Sequence, residues 1–247
     1  MIVCVGLATR DTIYAVPRHP GPDERVVATQ RVVAGGGPAA TAAAAIARLG
    51  VGVRFVGVIE GDLDGVDVVR LPGRMAESTI IVGAGTRTIV TEEPQTFAVS
   101  REHLDGADWV HVDHVGYAAV PATEAKLSVD GGNPIPELDL STVQLYAPTA
   151  ATDDGRRAGL TVVTRGADGC TAYLDGDTIE VPGFAVEAVS TLGAGDVFHG
   201  ALLAALERGL ELRDALVHAN ASAALSCRAL DGRSAIPTWD ELEAALA

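Results

Sequence analysis

Apolar residues recur along this chain in two rhythms. Residues 2–6, 51–58, 109–112, 127–129, 143–146 and 161–164 are short runs dense in Val, Ile and Leu. Near-continuous runs of that length predict strands buried on both faces. Residues 24–33 and 78–91 interleave Val and Ile with Arg, Thr and Gln, as exposed strands do. The second stretch turns at Gly83-Ala84-Gly85-Thr86, which predicts a hairpin between 78–82 and 87–91. Residues 161–164 and 170–174 pair around the turn 165–169, and 178–181 add another strand. The helical rhythm covers the Ala-rich 39–49, ended by Gly50, then 196–208, 212–229 and 239–246. The Pro/Gly-rich stretch 18–23 is a loop, and Gly35-Gly36-Gly37-Pro38 breaks the chain. Strands alternating with helices imply an α/β fold whose sheet is mostly parallel and flanked by helices. The exposed strands imply a second, small sheet. No repeat, low-complexity tract or linker interrupts residues 1–247, which read as one domain.

Charge narrows the partners. The 247 residues hold 18 basic and 33 acidic side chains, a formal net charge of −15. That argues against nucleic acid or an anionic membrane as the main partner. Aromatics at only 4% argue against base-stacking platforms as well. Cys4, Cys170 and Cys227 lie far apart without a C-x-x-C, which predicts a reducing compartment and no zinc site. No basic segment followed by a long apolar one opens the chain. The Ala-rich run 39–47 is far short of the ~20 residues that span a bilayer. A cytoplasmic protein is expected. Lysine occurs once, at Lys126, and no G-K-[ST] is present, so a Walker P-loop is excluded.

The densest chemistry lies in Val189-Ser190-Thr191-Leu192-Gly193-Ala194-Gly195-Asp196-Val197-Phe198-His199-Gly200. Glycines at 193 and 195 let backbone N–H groups approach a ligand closely. A helix starting there adds unpaired N–H groups and partial positive charge, which together suit phosphate. Asp196 serves there equally as a helix cap or as a base that deprotonates an attacking hydroxyl. A dinucleotide fingerprint fits poorly, since Phe198 occupies the place of its third glycine.

Gly193-Ala194-Gly195-Asp196 with Thr191 resembles the C-terminal signature D-T-x-G-A-G-D of the ribokinase/PfkB carbohydrate kinases. Gly36-Gly37-Pro38-Ala39-Ala40-Thr41, running on to Leu49-Gly50, is similar to that family's N-terminal signature G-G-x-x-x-N. Val163-Thr164-Arg165-Gly166-Ala167-Asp168-Gly169 looks like its nucleotide turn, and Val5-Gly6 with Asp11 like its opening strand and sugar-binding acid. Within the family, 35–43, 193–202 and 232–237 look most like sulfofructose kinases, with ketohexokinases second. The resemblance implies a ribokinase-like, Rossmann-type core with a small β-sheet lid. It implies transfer of the γ-phosphoryl group of ATP to a sugar or polyol-like hydroxyl with Mg²⁺, and a homodimer joined through the lid. Carried over, Asp196 is the base, and Gly193, Ala194 and Gly195 form the anion hole. Asp11, Gly36, Gly37 and Thr41 line the sugar pocket. Thr164, Gly166, Gly169, Asn220 and Gly232 border the nucleotide. The resemblance assigns no metal ligand in this chain.

The chain departs from the family pattern at several points. Ser190 stands where Asp is usual, at a position that helps hold a monovalent cation in many relatives. Thr41 replaces Asn. The N-x-x-E motif tied to Mg²⁺ should follow Tyr146, where the chain reads Ala147-Pro148-Thr149-Ala150. Helices are missing between Gly65 and Ser78 and between Ala151 and Leu160. These losses motivate an alternative, a kinase-fold protein that binds sugar or nucleotide with weak turnover or none. His111-Val112-Asp113-His114 suits a pocket edge better than a metal site, because His114 points away from the face His111 and Asp113 share. His199 reads as packed or solvated. Asp11, Asp113 and Thr41 suit the hydroxyls of a neutral sugar, with Arg25, Arg31 and Arg87 as lid candidates for an anionic one.

Overall fold

The structure is a computed structural model that describes residues 1–247. A nine-stranded sheet forms its centre. The strands are β1 (Ile2–Val5), β4 (Val53–Gly57), β5 (Asp67–Arg70), β8 (Trp109–Val112), β9 (Lys126–Gly131), β10 (Leu145–Pro148), β11 (Leu160–Thr164), β12 (Cys170–Leu174) and β13 (Asp177–Val181), in the order β13-β12-β11-β10-β9-β8-β1-β4-β5. All neighbours are parallel except β11-β12 and β12-β13. Strands β2 (Thr9–Ala15), β3 (Gln30–Gly36), β6 (Ala76–Gly83) and β7 (Thr86–Thr91) make the small sheet, ordered β3-β2-β6-β7.

Strand alternation splits the apolar residues into two cores. Ile2, Cys4, Phe55, Leu145 and Val162 face helices α1 (Pro38–Arg48), α2 (Ala194–Glu207), α3 (Leu212–Ser226) and α4 (Trp239–Leu246). Val3, Val5, Val56, Val110, Val112, Val129 and Tyr146 face the other way. No α-helix occurs between Arg48 and Ala194, so that second face is covered by irregular segments carrying Phe97, Leu104, Tyr117, Val120, Leu138, Leu140 and Val143. The crossovers 113–125, 132–144 and 149–159 thus run between parallel strands without an α-helix, the second holding only the short 3-10 turn Leu140–Thr142. One tie among them is the Asp139 N–H, which donates to the Tyr117 hydroxyl at 3.0 Å.

The expected elements are present with corrections. Residues 24–29 are not strand, and β3 runs from Gln30 to Gly36. Glu24 is pulled back into the loop by Arg18 and by the Gly21 N–H, which consumes the residues expected to extend. Strand β2 was not anticipated, because its Thr, Arg and Asp hid an alternation in which Thr9, Asp11 and Ile13 are buried. Helix α3 stops at Ser226, three residues early, where Cys227 closes a turn onto Ala224. No helix of the structure is long and apolar enough to cross a membrane. All three cysteines are buried and unpaired, and burial raises the Cys4 thiol far out of its reactive range.

Candidate active site

Between the small sheet and the carboxyl ends of the central strands lies a cleft of about 350 Å³. Thr9, Asp11 and Ser78 line it from the small sheet, Thr149 and Thr164 from the ends of β10 and β11, and Gly193, Gly195 and Asp196 from between. Ligand crevices of open α/β sheets form at these strand ends.

The start of α2 explains the central part. Gly193 caps the helix with φ 73°, a left-handed conformation that glycine adopts without strain. A side chain there would also run into Gly232, so the two glycines let the tail pack behind the loop. At Gly195 a Cβ would meet nothing within 4 Å, so the chain faces open space there. Asp196 sits in the first turn and bonds no N–H as a cap.

Burial, and then the nearby charge of Asp130, push Asp196 up to about 7. Asp130 ends β9, and His199 lies one turn beyond Asp196. His199 Nδ1 is 3.2 Å from Asp130 Oδ2, close enough for an ion pair but off the line of a good hydrogen bond. Burial opposes both charges, yet the pairing wins: Asp130 is held at about 2 and His199 is raised. His111 lies behind, its ring 5.9 Å from that of His199, and burial holds it at about 3.

At the small-sheet end, Thr9 donates to Asp11 at 2.7 Å, and Gly36 has no side chain because a Cβ there would strike the Asp11 carboxylate. Gly37, with φ 89°, passes against the Leu7 carbonyl and caps α1. Arg233 reaches in from the tail. Its Nε donates to Thr41 Oγ1 at 3.1 Å and its Nη2 to the Gly36 carbonyl at 2.5 Å. Burial lowers Arg233 to about 10, against the pull of Asp11 and Asp196.

The cleft therefore gathers Asp11, Gly37, Thr164, Gly193, Gly195 and Asp196, with Ala194 opening α2 between the last two glycines and Gly36 and Gly232 packed behind. Other expected residues are placed elsewhere. Thr41 is buried under Arg233 and offers its hydroxyl to that guanidinium instead of the cleft. Asn220 is buried, its amide donating to the Pro182 carbonyl at 3.2 Å. Gly166 and Gly169 shape the β11–β12 turn, where a Cβ on Gly169 would hit the Val181 carbonyl. Asp113 is fully buried and accepts from the N–H groups of Leu7, Ala39, Val115 and Gly116, so it binds the fold together and has no oxygen left for a sugar. Sequence reasoning passed over Asp130 and Arg233. An acid at the carboxyl end of an apolar run was a usable signal for Asp130. Nothing local marks Arg233, whose partner Thr41 is 192 residues away.

The sequence model described as pfkB family carbohydrate kinase matches residues 1–126 and 147–239. An ATP-dependent ribose-1-phosphate kinase of Halopiger xanaduensis is 27% identical across 99% of this chain and 97% of its own. A ribokinase of Bacillus subtilis is 30% identical over 53% of this chain and 40% of its own. A crystal structure of a putative ribokinase from Agrobacterium tumefaciens superposes with a TM-score of 0.83 at 25% identity, covering 99% of this chain and 96% of that one. The likeness extends from the paired sheets to the glycine loop before α2, and the profile spans most of the sequence: this chain belongs to the pfkB family of carbohydrate kinases.

Proposed function

We propose that the chain transfers the γ-phosphoryl group of ATP to a hydroxyl of a sugar or polyol-like acceptor, with Asp196 as base and the N–H groups at Gly193, Ala194 and Gly195 as anion hole. The observation that carries this reading is the placement of Asp196 at a helix start beside Gly193 and Gly195, where only the Ala194 N–H has a partner, a long 3.4 Å bond to the Thr191 carbonyl, with Asp11 on one side of the cleft and Thr164 on the other. The acceptor lies toward Asp11 and Ser78, and the nucleotide toward Thr149 and Thr164. Asp196 takes the proton of the attacking hydroxyl as the new O–P bond forms and the bond from phosphorus to the leaving ADP oxygen breaks. The helix N-terminus holds the charge on the transferring group. A carboxylate held near 7 suits proton transfer at neutral pH.

The side chains do not cage a metal. No three acidic, His or Cys side chains are arranged to hold a metal ion, both Asp130 oxygens are engaged, and 147–150 lacks a carboxylate. Mg²⁺ therefore enters with ATP, held by its phosphates and by water, as suits an ion that keeps several waters.

The loss of Asp113 and Thr41 from the acceptor end weakens the case for a strictly neutral sugar. Arg87 lines the same cleft, and a phosphorylated acceptor is the second reading it favours. The outer face of the small sheet aligns Val33, Thr12, Thr79 and Val90, with Val33 and Val90 exposed. That face supports pairing of two copies through the lid, which solution mass measures. Three buried free thiols support a cytoplasmic site of action.

The test is ADP release over neutral and phosphorylated sugars, repeated with Asp196→Asn. The reading expects acceptor-dependent ADP and a loss of at least ~10²-fold in kcat for the variant. Wild-type protein that binds ATP and sugars but releases no ADP would be a binding protein on a kinase fold.

A further inference from the structure

The floor of the cleft holds more charge than a base and an anion hole require. Asp130 and His199 have side chains only 5% and 4% exposed, and they face each other at 3.2 Å. Asp130 Oδ1 accepts the Gly132 N–H at 2.7 Å, which leaves Oδ2 for the imidazole. The carbonyl of Ala147 on β10 also faces the His199 ring. Both neighbours are acceptors, which suits a ring protonated on both nitrogens. His111 cannot share that role: its Nδ1 is engaged with Ser128 Oγ at 3.0 Å and its Nε2 has no partner. A buried ion pair adds little stability over an apolar pair of similar volume. Its place on the helix is what distinguishes it, since residues three apart lie on one helix face, and His199 is three beyond Asp196.

We infer that His199 is a positioning residue for Asp196: Asp130 holds it as a buried cation one helical turn behind the base, where it helps keep the Asp196 carboxylate ionised against the nearby acids Asp130 and Asp113. This rests on the reading of Asp196 as base. The charged groups around Asp196 come from every element packed there. Asp130 on β9 and Asp113 after β8 are anionic, while His199 on α2 and Arg233 in the tail are cationic, with Asp11 of β2 facing Arg233. His111 on β8 is neutral. Removing His199 alone leaves an uncompensated Asp130 beside the base. Removing both leaves neither influence. The two deletions must therefore act in opposite senses on Asp196.

The experiment is a ¹³C NMR titration of the Asp196 carboxyl in the ligand-free full chain, the signal assigned by its loss in Asp196→Asn. His199→Gln should move the titration upward by a pH unit or more, leaving about tenfold less ionised carboxylate on the acid side. Adding Asp130→Asn to His199→Gln should bring it back to or below the wild-type position. A role confined to packing moves neither. An unmoved titration in His199→Gln, or a double variant shifted as far up as the single, overturns the inference. If His199→Gln does not fold, Asp130→Asn alone decides, because it removes its own charge together with the partner that holds His199 as a cation: the titration must come out where the double variant is expected, at or below the wild-type position, and a rise refutes the pairing. Near-wild-type turnover of Asp196→Asn would instead remove the base assignment, a separate failure from an unmoved titration.

Discussion

Arg87, on the lid strand β7, donates a 2.8 Å hydrogen bond from Nη1 to Oγ1 of Thr191, two residues before the α2 cap Gly193. A side chain of the small sheet is thereby tied to the loop that carries the proposed anion hole, and the guanidinium has no carboxylate partner of its own. Arg87→Ala should raise the acceptor KM about tenfold, the size of one charge-assisted hydrogen bond. The rise should be larger for phosphorylated than for neutral sugars if the acceptor carries an anion. Steady-state kinetics on both sets of compounds measures it, and an unchanged KM for every acceptor removes Arg87 from the site.

Activity and stability should respond to acid in opposite directions. Asp196 titrates near 7 when folded, raised first by burial and then by Asp130, against an unfolded value of about 4. Its contribution to stability is therefore present below pH ~4 and fades as pH rises through 7. His199, also raised, has the same sign. If Asp196 is the base proposed above, its ionised form is the active one, so kcat/KM for the acceptor should fall about tenfold per unit below pH 7. Thermal melts at pH 5.5 and 7.5 should show a midpoint no lower at 5.5, with turnover clearly lower there.

Gly36→Ala should act on the acceptor alone. The added methyl meets both the Asp11 carboxylate and the Thr9 hydroxyl that donates to it, so the pair cannot stay in place. The acceptor KM should rise at least tenfold with the ATP KM unchanged. Equal losses for both substrates would place Asp11 outside the acceptor end.

Potassium should matter little. Ser190 is buried and its hydroxyl accepts the Leu192 N–H at 3.2 Å, so the position offers a neutral oxygen where an anionic one would hold a cation more firmly. Replacing K⁺ by tetramethylammonium at constant ionic strength should change turnover by less than about twofold, since hard cations favour anionic oxygen ligands. A several-fold activation by K⁺ would show that carbonyl oxygens suffice.

The glycines at 193 and 195 and Asp196 could be singled out because their signals are local, close-set glycines and an acid at a helix start, whereas Asp11 came only through the family resemblance. Strand β2 was not, since its polar residues conceal a buried alternation that only the lid reveals. Thr41 and Asp113 were read as ligand contacts because both residue types bind hydroxyls. In the fold Arg233 claims one and four backbone N–H groups claim the other. Arg233 itself was out of reach, being brought to the site by the packing of Gly232 against Gly193.

The large sheet leans on helices along one face and on irregular segments along the other. Segments without their own hydrogen-bonded ladder open piecemeal, at a fraction of the free energy that global unfolding requires. Two of them also carry His114 and Asn133 into the cleft. Heat that loosens this cover reaches the ligand pocket before it reaches the helical core. Warming the enzyme then erodes substrate affinity while the chain is still folded, so its working ceiling lies below its melting temperature.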